Sequence, residues 1–268
     1  KDERFLKLKV ALPFLSSKRL ELGFGIAQIE DRYFQNNVID FDKDKYDKSG
    51  YRLFGGSVSF NGSTLNSRQF PIQGAREALV AQIFTGNESF RPGVNSENKK
   101  PVKEKHSWLQ LSYMKEKYHK MGANWILGWY LDAVYASKNF SENYTATMMQ
   151  ASEFAPTAHS KLTYNEAFRA NQYVAAGIRP IYRLNQMFHV RGEFYGFLPI
   201  FPIERNSINK AYYGKAFSRF EYLGEISVVC QLPFGAISAY VNHYSSPRRE
   251  WNVGLTLGWQ LFNYRFIE

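Results

Sequence analysis

Apolar and polar residues alternate at every second position over much of this chain, and this period constrains its fold more than any other feature. The clearest case is the segment 251–261, where Trp, Val and Leu alternate with Asn, Gly, Thr and Gln. Successive side chains of a β-strand point to opposite faces, so the pattern predicts a strand with one apolar face. The whole chain is predicted to be an all-β protein of about eleven antiparallel strands, at residues 6–12, 20–27, 54–60, 79–83, 109–114, 124–135, 174–184, 188–198, 222–232, 237–243 and 251–261.

The composition excludes a bundle of membrane-spanning helices. Hydrophobic residues make up 44% of the 268 residues, yet the mean hydropathy is −0.41. No apolar run reaches the roughly 18 residues that a membrane-spanning helix needs. The formal net charge of +10 favours anionic partners, whether nucleic acid, lipid headgroups or acidic solutes.

The connections between the predicted strands alternate between short turns and long polar loops. Short turns on one side and long loops on the other are typical of bacterial outer-membrane barrels. We therefore expect a transmembrane β-barrel in the outer membrane of a Gram-negative bacterium, with the long loops outside the cell. The alternative is a closed soluble barrel, whose interior would be apolar, whereas the second face of these strands carries charge. The predicted long loops are 31–50, 86–106, 137–171 and 199–216.

The odd strand count predicts that the chain is part of a longer protein. Bacterial single-chain barrels have an even number of strands and both termini in the periplasm. About eleven strands that end on the short-turn side place the first residue on the long-loop side. We expect residues 1–268 to be one barrel domain from the C-terminal part of a larger protein.

Charged side chains fall on the second face of the later strands. A lipid-facing Arg at the membrane midplane costs about 2–4 kcal/mol, so these residues are expected to face the barrel lumen. They would select anions, hold a loop inside the lumen, or only solvate its wall. The predicted lumen residues are Arg179, Arg183, His189, Arg191, Glu193 and Glu225.

Aromatic residues mark the ends of the predicted membrane-crossing segments. Trp251 and Trp259 lie eight positions apart on one face, which separates them by about 19 Å along the axis of a tilted barrel. Trp125 lies on the equivalent face of an earlier strand, and the three are expected to form aromatic girdles. The terminal strand ends in Phe262, which resembles the signal that the barrel-assembly machinery recognises.

Several short motifs carry a resemblance to a known family. They are Phe-Arg-Ala-Asn at 168–171, Tyr-Leu-Gly-Glu-Ile-Ser at 222–227, Leu-Pro-Phe-Gly at 232–235 and Trp-Asn-Val-Gly at 251–254. With the strand layout, they make the whole chain resemble the surface-antigen superfamily of outer-membrane barrels, which contains barrel-assembly and two-partner-secretion translocators. Within it, the chain looks most like the barrel of Bacteroidetes-type patatin-like phospholipases.

The resemblance implies a sixteen-strand barrel and a role for residues 137–171. In the superfamily, a long extracellular loop folds back into the lumen and presents an Arg to an acidic residue on the wall. Five strands follow that loop, as five predicted strands follow Arg169 here. The implied loop motif is Phe168, Arg169, Ala170 and Asn171, with Ala170 where the family has Gly. Its implied acidic partner is Glu193, or else Glu225.

The resemblance also implies an upstream patatin-like hydrolase with a Ser-Asp dyad. This chain has no G-x-S-x-G element, and its His residues lack metal-ligand spacing. We therefore predict no catalytic residue, metal or cofactor in it, and leave open whether the full-length protein is an enzyme. The expected function is to anchor, and to display or export, the covalently linked hydrolase.

Three other functions stay open: an anion-preferring porin, an outer-membrane protein insertion or secretion factor, and a soluble all-β binding protein. The expected partners are outer-membrane lipid, lipopolysaccharide and the barrel-assembly machinery. A run of lysines could bind nucleic acid in isolation. Set in an extracellular loop, it is expected to meet lipopolysaccharide phosphate or solvent instead, and it comprises Lys99, Lys100, Lys103 and Lys105.

Overall fold

The computed structural model describes residues 2–34, 46–94, 96, 99–233, 235–246, 251–258 and 267. In these residues an 11-stranded antiparallel sheet joins strands that follow one another along the chain, which confirms the predicted class and strand number. The elements are β1 (Asp2–Leu15), β2 (Lys18–Tyr33), β3 (Asp47–Ser63), β4 (Gly74–Arg91), β5 (Val102–Lys120), β6 (Trp125–Ala136), α1 (Tyr144–Gln150), β7 (Ser152–Glu153), a 3-10 turn (Glu166–Phe168), β8 (Arg169–Ala170), β9 (Gln172–Arg183), β10 (Phe188–Pro199), β11 (Ile203–Arg205), β12 (Ala211–Tyr213), β13 (Glu221–Leu232), β14 (Gly235–Tyr244) and β15 (Trp251–Gly258).

The large sheet runs from β1 at one edge to β15 at the other. Among the described residues no pairing joins these two edges. Two small sheets, β7–β8 and β11–β12, lie within the connections that follow β6 and β10. None of the helices in the described part of the chain is long and apolar enough to cross a membrane.

The register of the sheet gives it two chemically different faces. Apolar residues pair with apolar residues across neighbouring strands, as Leu8 does with Phe24 and Ile26 with Phe54. This exposed face leaves large apolar side chains uncovered on every strand. One such residue from each strand, in order, is Leu8, Phe24, Phe54, Ile83, Leu111, Trp125, Ile178, Phe194, Ile226, Val241 and Val253.

The opposite face, here the covered face, holds the core of the molecule. Tyr51, Phe84 and Trp108 are buried there in one cluster, and the Phe84 and Trp108 rings stack with their centroids 4.8 Å apart. A second cluster on the same face includes Tyr173 and Phe197. The period-two pattern therefore places one set of apolar residues in the core and leaves the other set exposed.

The strands extend further than the alternation of apolar residues predicts. Predicted loops 31–50 and 86–106 are too wide, because β2 continues to Tyr33 and β4 to Arg91. Pairing persists there between polar residues, and Glu30 stabilises it through ion pairs of 2.6 Å with Arg32 and 3.1 Å with Lys48. The ends of β2 and β4 mix buried apolar residues such as Ile29 and Phe90 with polar residues on both faces, so a search for apolar residues at every second position does not detect them. Two residues predicted in an extracellular loop, Lys103 and Lys105, consequently lie in β5.

A short segment, residues 64–73, folds against the covered face from the short-turn side. The Asn66 side-chain oxygen accepts hydrogen bonds from the backbone N–H groups of Ile72 and Gln73, both at 3.0 Å. Gly74 has a φ of 92°, and a Cβ there would lie 2.1 Å from the Thr64 carbonyl oxygen. Glycine is therefore required where this segment rejoins β4.

Candidate functional site: the covered face and the segments on it

The centre of the covered face carries four buried charged residues, here called the strand cluster: Glu116 on β5, Arg179 on β9, and Arg191 and Glu193 on β10. Arg179 forms an ion pair with Glu116 and lies 3.7 Å from Glu193, measured from Nε to Oε2. Arg191 forms an ion pair with Glu193. Each carboxylate therefore has at least one guanidinium neighbour, and the cluster joins three strands.

Two tyrosine hydroxyls form hydrogen bonds with the strand cluster, and the ring of a third tyrosine packs against it. The Tyr118 hydroxyl accepts a 3.0 Å bond from Arg191 and donates a 3.1 Å bond to Glu116. The Tyr195 hydroxyl accepts a 2.7 Å bond from Arg179 and donates to Glu193. The Tyr130 ring lies 4.7 Å from the Arg179 guanidinium carbon. Buried ion pairs are stable only when such hydrogen bonds complete them.

Sequence reasoning found Arg179, Arg191 and Glu193 but missed Glu116 and Tyr118. These two residues belong to the segment 114–120, in which apolar residues no longer alternate with polar ones. Extending the period of β5 from the buried Trp108 would have placed both of them on the covered face.

The strand cluster also holds the segment 64–73. Arg191 donates a 2.9 Å hydrogen bond to the Pro71 carbonyl oxygen, and its guanidinium lies 5.9 Å from the Phe70 ring centre. Leu65 and Ile72 of the same segment pack against Tyr118 and its apolar neighbours. Arg191 therefore acts as a structural cation that fixes this segment to the sheet.

Arg169 does not reach the strand wall. Its guanidinium forms a 2.9 Å ion pair with Glu153 and donates hydrogen bonds to the carbonyls of Met148, Met149 and Ala151. The expected contact with Glu193 or Glu225 is therefore wrong. The reason is the small β7–β8 sheet, whose register places Glu153 directly opposite Arg169. The carbonyls at the C-terminus of α1 lack helical partners and accept from the same cation.

The other residues of the predicted loop motif are buried. Phe168 and Ala170 belong to the apolar cluster of the covered face, where the Phe168 ring lies 5.6 Å from Phe197. Asn171 accepts a backbone bond from Ala136 at 2.8 Å, and its side chain donates to the Tyr213 hydroxyl at 3.0 Å. The motif anchors the segment through Phe168 and Asn171, while its Arg acts within the segment.

Residues 137–171, here called the long segment, lie across the covered face. At one end, the Asn143 side chain donates to the Tyr33 hydroxyl on β2 at 2.8 Å, and Ser141 bonds the Tyr51 hydroxyl on β3 at 2.8 Å. At the other end, His159 Nδ1 lies 3.1 Å from the Tyr244 hydroxyl on β14. The contacts of the segment therefore extend from β2 to β14.

His159 has a specific polar environment on β14. Its Nδ1 lies 2.9 Å from the side-chain nitrogen of Asn242, which also donates to Glu225 at 3.4 Å. Burial lowers the pKa of His159 below its ordinary value, so the ring is neutral at pH 7 and accepts from Asn242. Glu225 is thus joined to the long segment through Asn242 and His159 rather than through Arg169.

The last two predicted lumen residues lie on the covered face near the short turns. Arg183 donates a 3.2 Å hydrogen bond to the Ala123 carbonyl. His189 pairs across the sheet with Arg183 and is buried. Neither residue belongs to the strand cluster.

Glu88, Glu104 and His106 are the described residues that could hold a metal ion, because one donor atom from each lies within 4.8 Å of the others. His106 Nε2 is 2.8 Å from Glu88, which also accepts from the Tyr51 hydroxyl at 3.2 Å. Spacing along the chain could not reveal this group, since Glu88 and Glu104 come together by strand pairing.

The predicted girdle residues lie partly within the described structure. Trp125 and Trp251 are both on the exposed face, at the short-turn and long-loop ends of their strands. Trp125 packs against Tyr182, with ring centres 5.0 Å apart, and Trp251 packs at the same distance against His243. Trp259 and Phe262 lie outside the described residues, as does Phe234 of the Leu-Pro-Phe-Gly motif.

Comparison with known proteins gives no family for the chain: neither a protein-family model nor a curated protein matches it. The resemblance to patatin-like phospholipase barrels therefore remains a prediction from the motifs.

Proposed function

We propose that this chain is the membrane-spanning part of an outer-membrane β-barrel and that it anchors a passenger domain. The observation that carries the proposal is the exposed face, on which every strand of the sheet presents uncovered apolar residues. Leu8 is 70% exposed and Leu257 is 80% exposed. An apolar surface of this extent needs a lipid or protein cover, and the buried charges lie on the opposite face, as in outer-membrane barrels.

The dimensions support a membrane-crossing role. The strand β10 has 12 residues, which cover about 25 Å of membrane thickness at ~3.4 Å per residue and a ~45° tilt. Trp125 and Trp251 lie at opposite ends of the strands on the exposed face. Indole rings favour the two headgroup levels of a membrane.

The covered face supports an anchor rather than an open anion channel. The long segment and residues 64–73 both pack on it, and the two central arginines are neutralised by Glu116 and Glu193. A selective anion pore would need cations that are free to meet a permeating ion. The sixteen-strand barrel and the upstream patatin-like hydrolase are part of the proposal and rest on the motif resemblance.

One substitution tests the membrane assignment. Ile83→Arg places a cation within the apolar band of β4. We expect it to destabilise the protein folded in lipid vesicles, lowering its unfolding free energy by about 2–4 kcal/mol. The matched control is Asn87→Arg, on the same face and strand but beyond the band, where the cost should be about 0–1 kcal/mol. The measurement is reversible folding in urea with vesicles present. Equal effects of both variants, or folding without detergent or lipid, would refute the proposal.

Two further measurements separate anchoring from the alternatives. Conductance in planar bilayers should show no steady anion-selective current, and such a current would favour the channel. The coding sequence upstream of Lys1 should encode a hydrolase with a G-x-S-x-G element. A signal peptide directly before Lys1 would contradict the anchoring of such a domain.

A further inference from the structure

On β1 to β5, a row of polar side chains borders the apolar band of the exposed face. The strand register aligns these residues side by side, with Arg4 opposite Gln28, Gln28 opposite Arg52, Arg52 opposite Asn87, and Asn87 opposite Lys105. The row lies on the long-loop side of the sheet. Leu6, Ile26 and Phe54 occupy the adjacent row, within the apolar band.

The two rows line one groove of about 750 Å³. Arg4, Arg52 and Lys105 supply its cationic part, and Leu6, Ile26 and Phe54 supply its apolar part. A ligand that fits this groove carries an anionic group for the cationic row and an apolar chain for the adjacent apolar row.

Two of the three cations of the groove are not neutralised by an acidic side chain. Arg4 forms a 3.2 Å ion pair with Asp2. Arg52 and Lys105 are exposed and have no ion pair with any residue that the structure describes, and the same holds for Lys103 beyond them. Glu30, which lies two residues after Gln28 on the same face of β2, is already paired with Arg32 and Lys48.

We infer that this groove binds a phosphorylated lipid of the outer leaflet. The phosphate would contact Arg52 and Lys105, and an acyl chain would lie on Leu6, Ile26 and Phe54. A guanidinium binds phosphate oxygens through two parallel hydrogen bonds, and Lys adds a point charge. Two strand spacings, about 10 Å, separate the Arg52 and Lys105 backbones, so their long side chains can converge on one headgroup. The inference rests on the proposed membrane function.

The test measures lipid binding to the full chain in a non-ionic detergent. Lipid A, a diphosphorylated disaccharide with acyl chains, is titrated into the protein by isothermal calorimetry. We expect the double variant Arg52→Gln/Lys105→Gln to bind it about 30-fold more weakly, because each basic residue near an anionic lipid contributes about 1 kcal/mol. The matched control is Lys117→Gln/Lys120→Gln, which removes two exposed lysines from the opposite end of β5 and should leave the affinity unchanged.

Other ligands distinguish the source of the phosphate. Phosphatidylcholine should bind weakly and equally to all variants, and inorganic phosphate should not compete with lipid A. Arg52→Lys should retain most of the binding, which separates loss of charge from misfolding. Competition by inorganic phosphate, or equal losses in the two double variants, would overturn the inference. If the chain proves soluble without detergent, the proposed membrane function fails first, whatever the result for lipid A.

Discussion

Two arginine sites on the covered face differ in what they hold together. Arg169 pairs with Glu153, only 16 positions earlier, and with carbonyls of α1, so all these partners belong to the long segment. Arg179 pairs with Glu116 across 63 positions of the sequence, and Arg191 binds Pro71 across 120. The Arg169 site stabilises the fold of the long segment itself. The strand cluster instead joins three strands to one another and to residues 64–73.

The comparison shows that an inward arginine does not by itself connect a loop to the strand wall. The long segment is attached to the strands by Phe168, by His159 and by hydrogen bonds from uncharged donors, two of which reach the carboxylates of Asp31 and Glu88. Its arginine completes the C-terminus of α1 instead. The attachment can therefore change while the arginine site remains intact, and the strand cluster can be disrupted without a direct effect on Arg169.

The largest expected effect comes from Glu193→Ala. The substitution leaves Arg191 without its carboxylate partner and removes one neighbour of Arg179, and both arginines are buried. Breaking a buried ion pair from one side costs about 3–5 kcal/mol of unfolding free energy. The measurement is urea unfolding in lipid vesicles.

The control for this variant is Asp2→Ala, which removes an exposed carboxylate from the end of β1. It should change the unfolding free energy by less than about 0.5 kcal/mol. If Glu193→Ala is equally mild, the strand cluster does not stabilise the sheet and the contrast with Arg169 fails.

A smaller and local effect is expected from Arg169→Ala. Glu153 and three carbonyls lose their donor, which costs about 1–3 kcal/mol. The cost should appear as faster amide exchange in residues 144–153, while the strands keep their protection. Hydrogen exchange monitored by mass spectrometry measures both regions in one experiment.

A double variant sharpens this second prediction. The effects of Arg169→Ala and Glu193→Ala should add to within about 0.5 kcal/mol, because the two residues share no partner. Strong coupling would instead support the Arg169–Glu193 contact that the motif resemblance implies. Arg183→Ala, which removes one exposed hydrogen bond to a turn, is the control and should not alter exchange in α1.

The fold was predictable from sequence because a period of two directly determines which residues share a face. The position of Arg179, Arg191 and Glu193 on one common face was predictable for the same reason. Their partners were not, since Glu116 comes from a distant strand whose position depends on pairing register. The Glu153 partner of Arg169 depends on a two-residue sheet, β7–β8, which is too short to leave any period in the sequence.

Strand ends and the second covering segment were also beyond sequence analysis. The polar ends of β2 to β5 resemble loops by composition, although ion pairs such as Glu30–Lys48 continue the sheet. Residues 64–73 resemble an ordinary turn. Their contact with Arg191 depends on a carbonyl, that of Pro71, and a backbone carbonyl has no sequence signature.

The smallest expected effect is that of acid, which should weaken the docking of the long segment without disturbing the strand cluster. Burial lowers the pKa of His159, so the folded segment binds a proton less readily than a released one does. Docking of the long segment should therefore be constant above about pH 6.5 and weaken as the pH falls below it. Glu225 is joined to His159 through Asn242, so the measurement is made on a Glu225→Gln background, in which only His159 can change charge in this contact. Limited proteolysis of residues 154–165 between pH 7.5 and 5.5 measures the change, and His159→Gln should abolish it.

The strands around Arg179 serve as the internal control. Arginine does not titrate in this range, so protection of these strands should stay constant. Equal loss of protection in both regions would show that acid acts on the whole sheet rather than on the attachment of the segment.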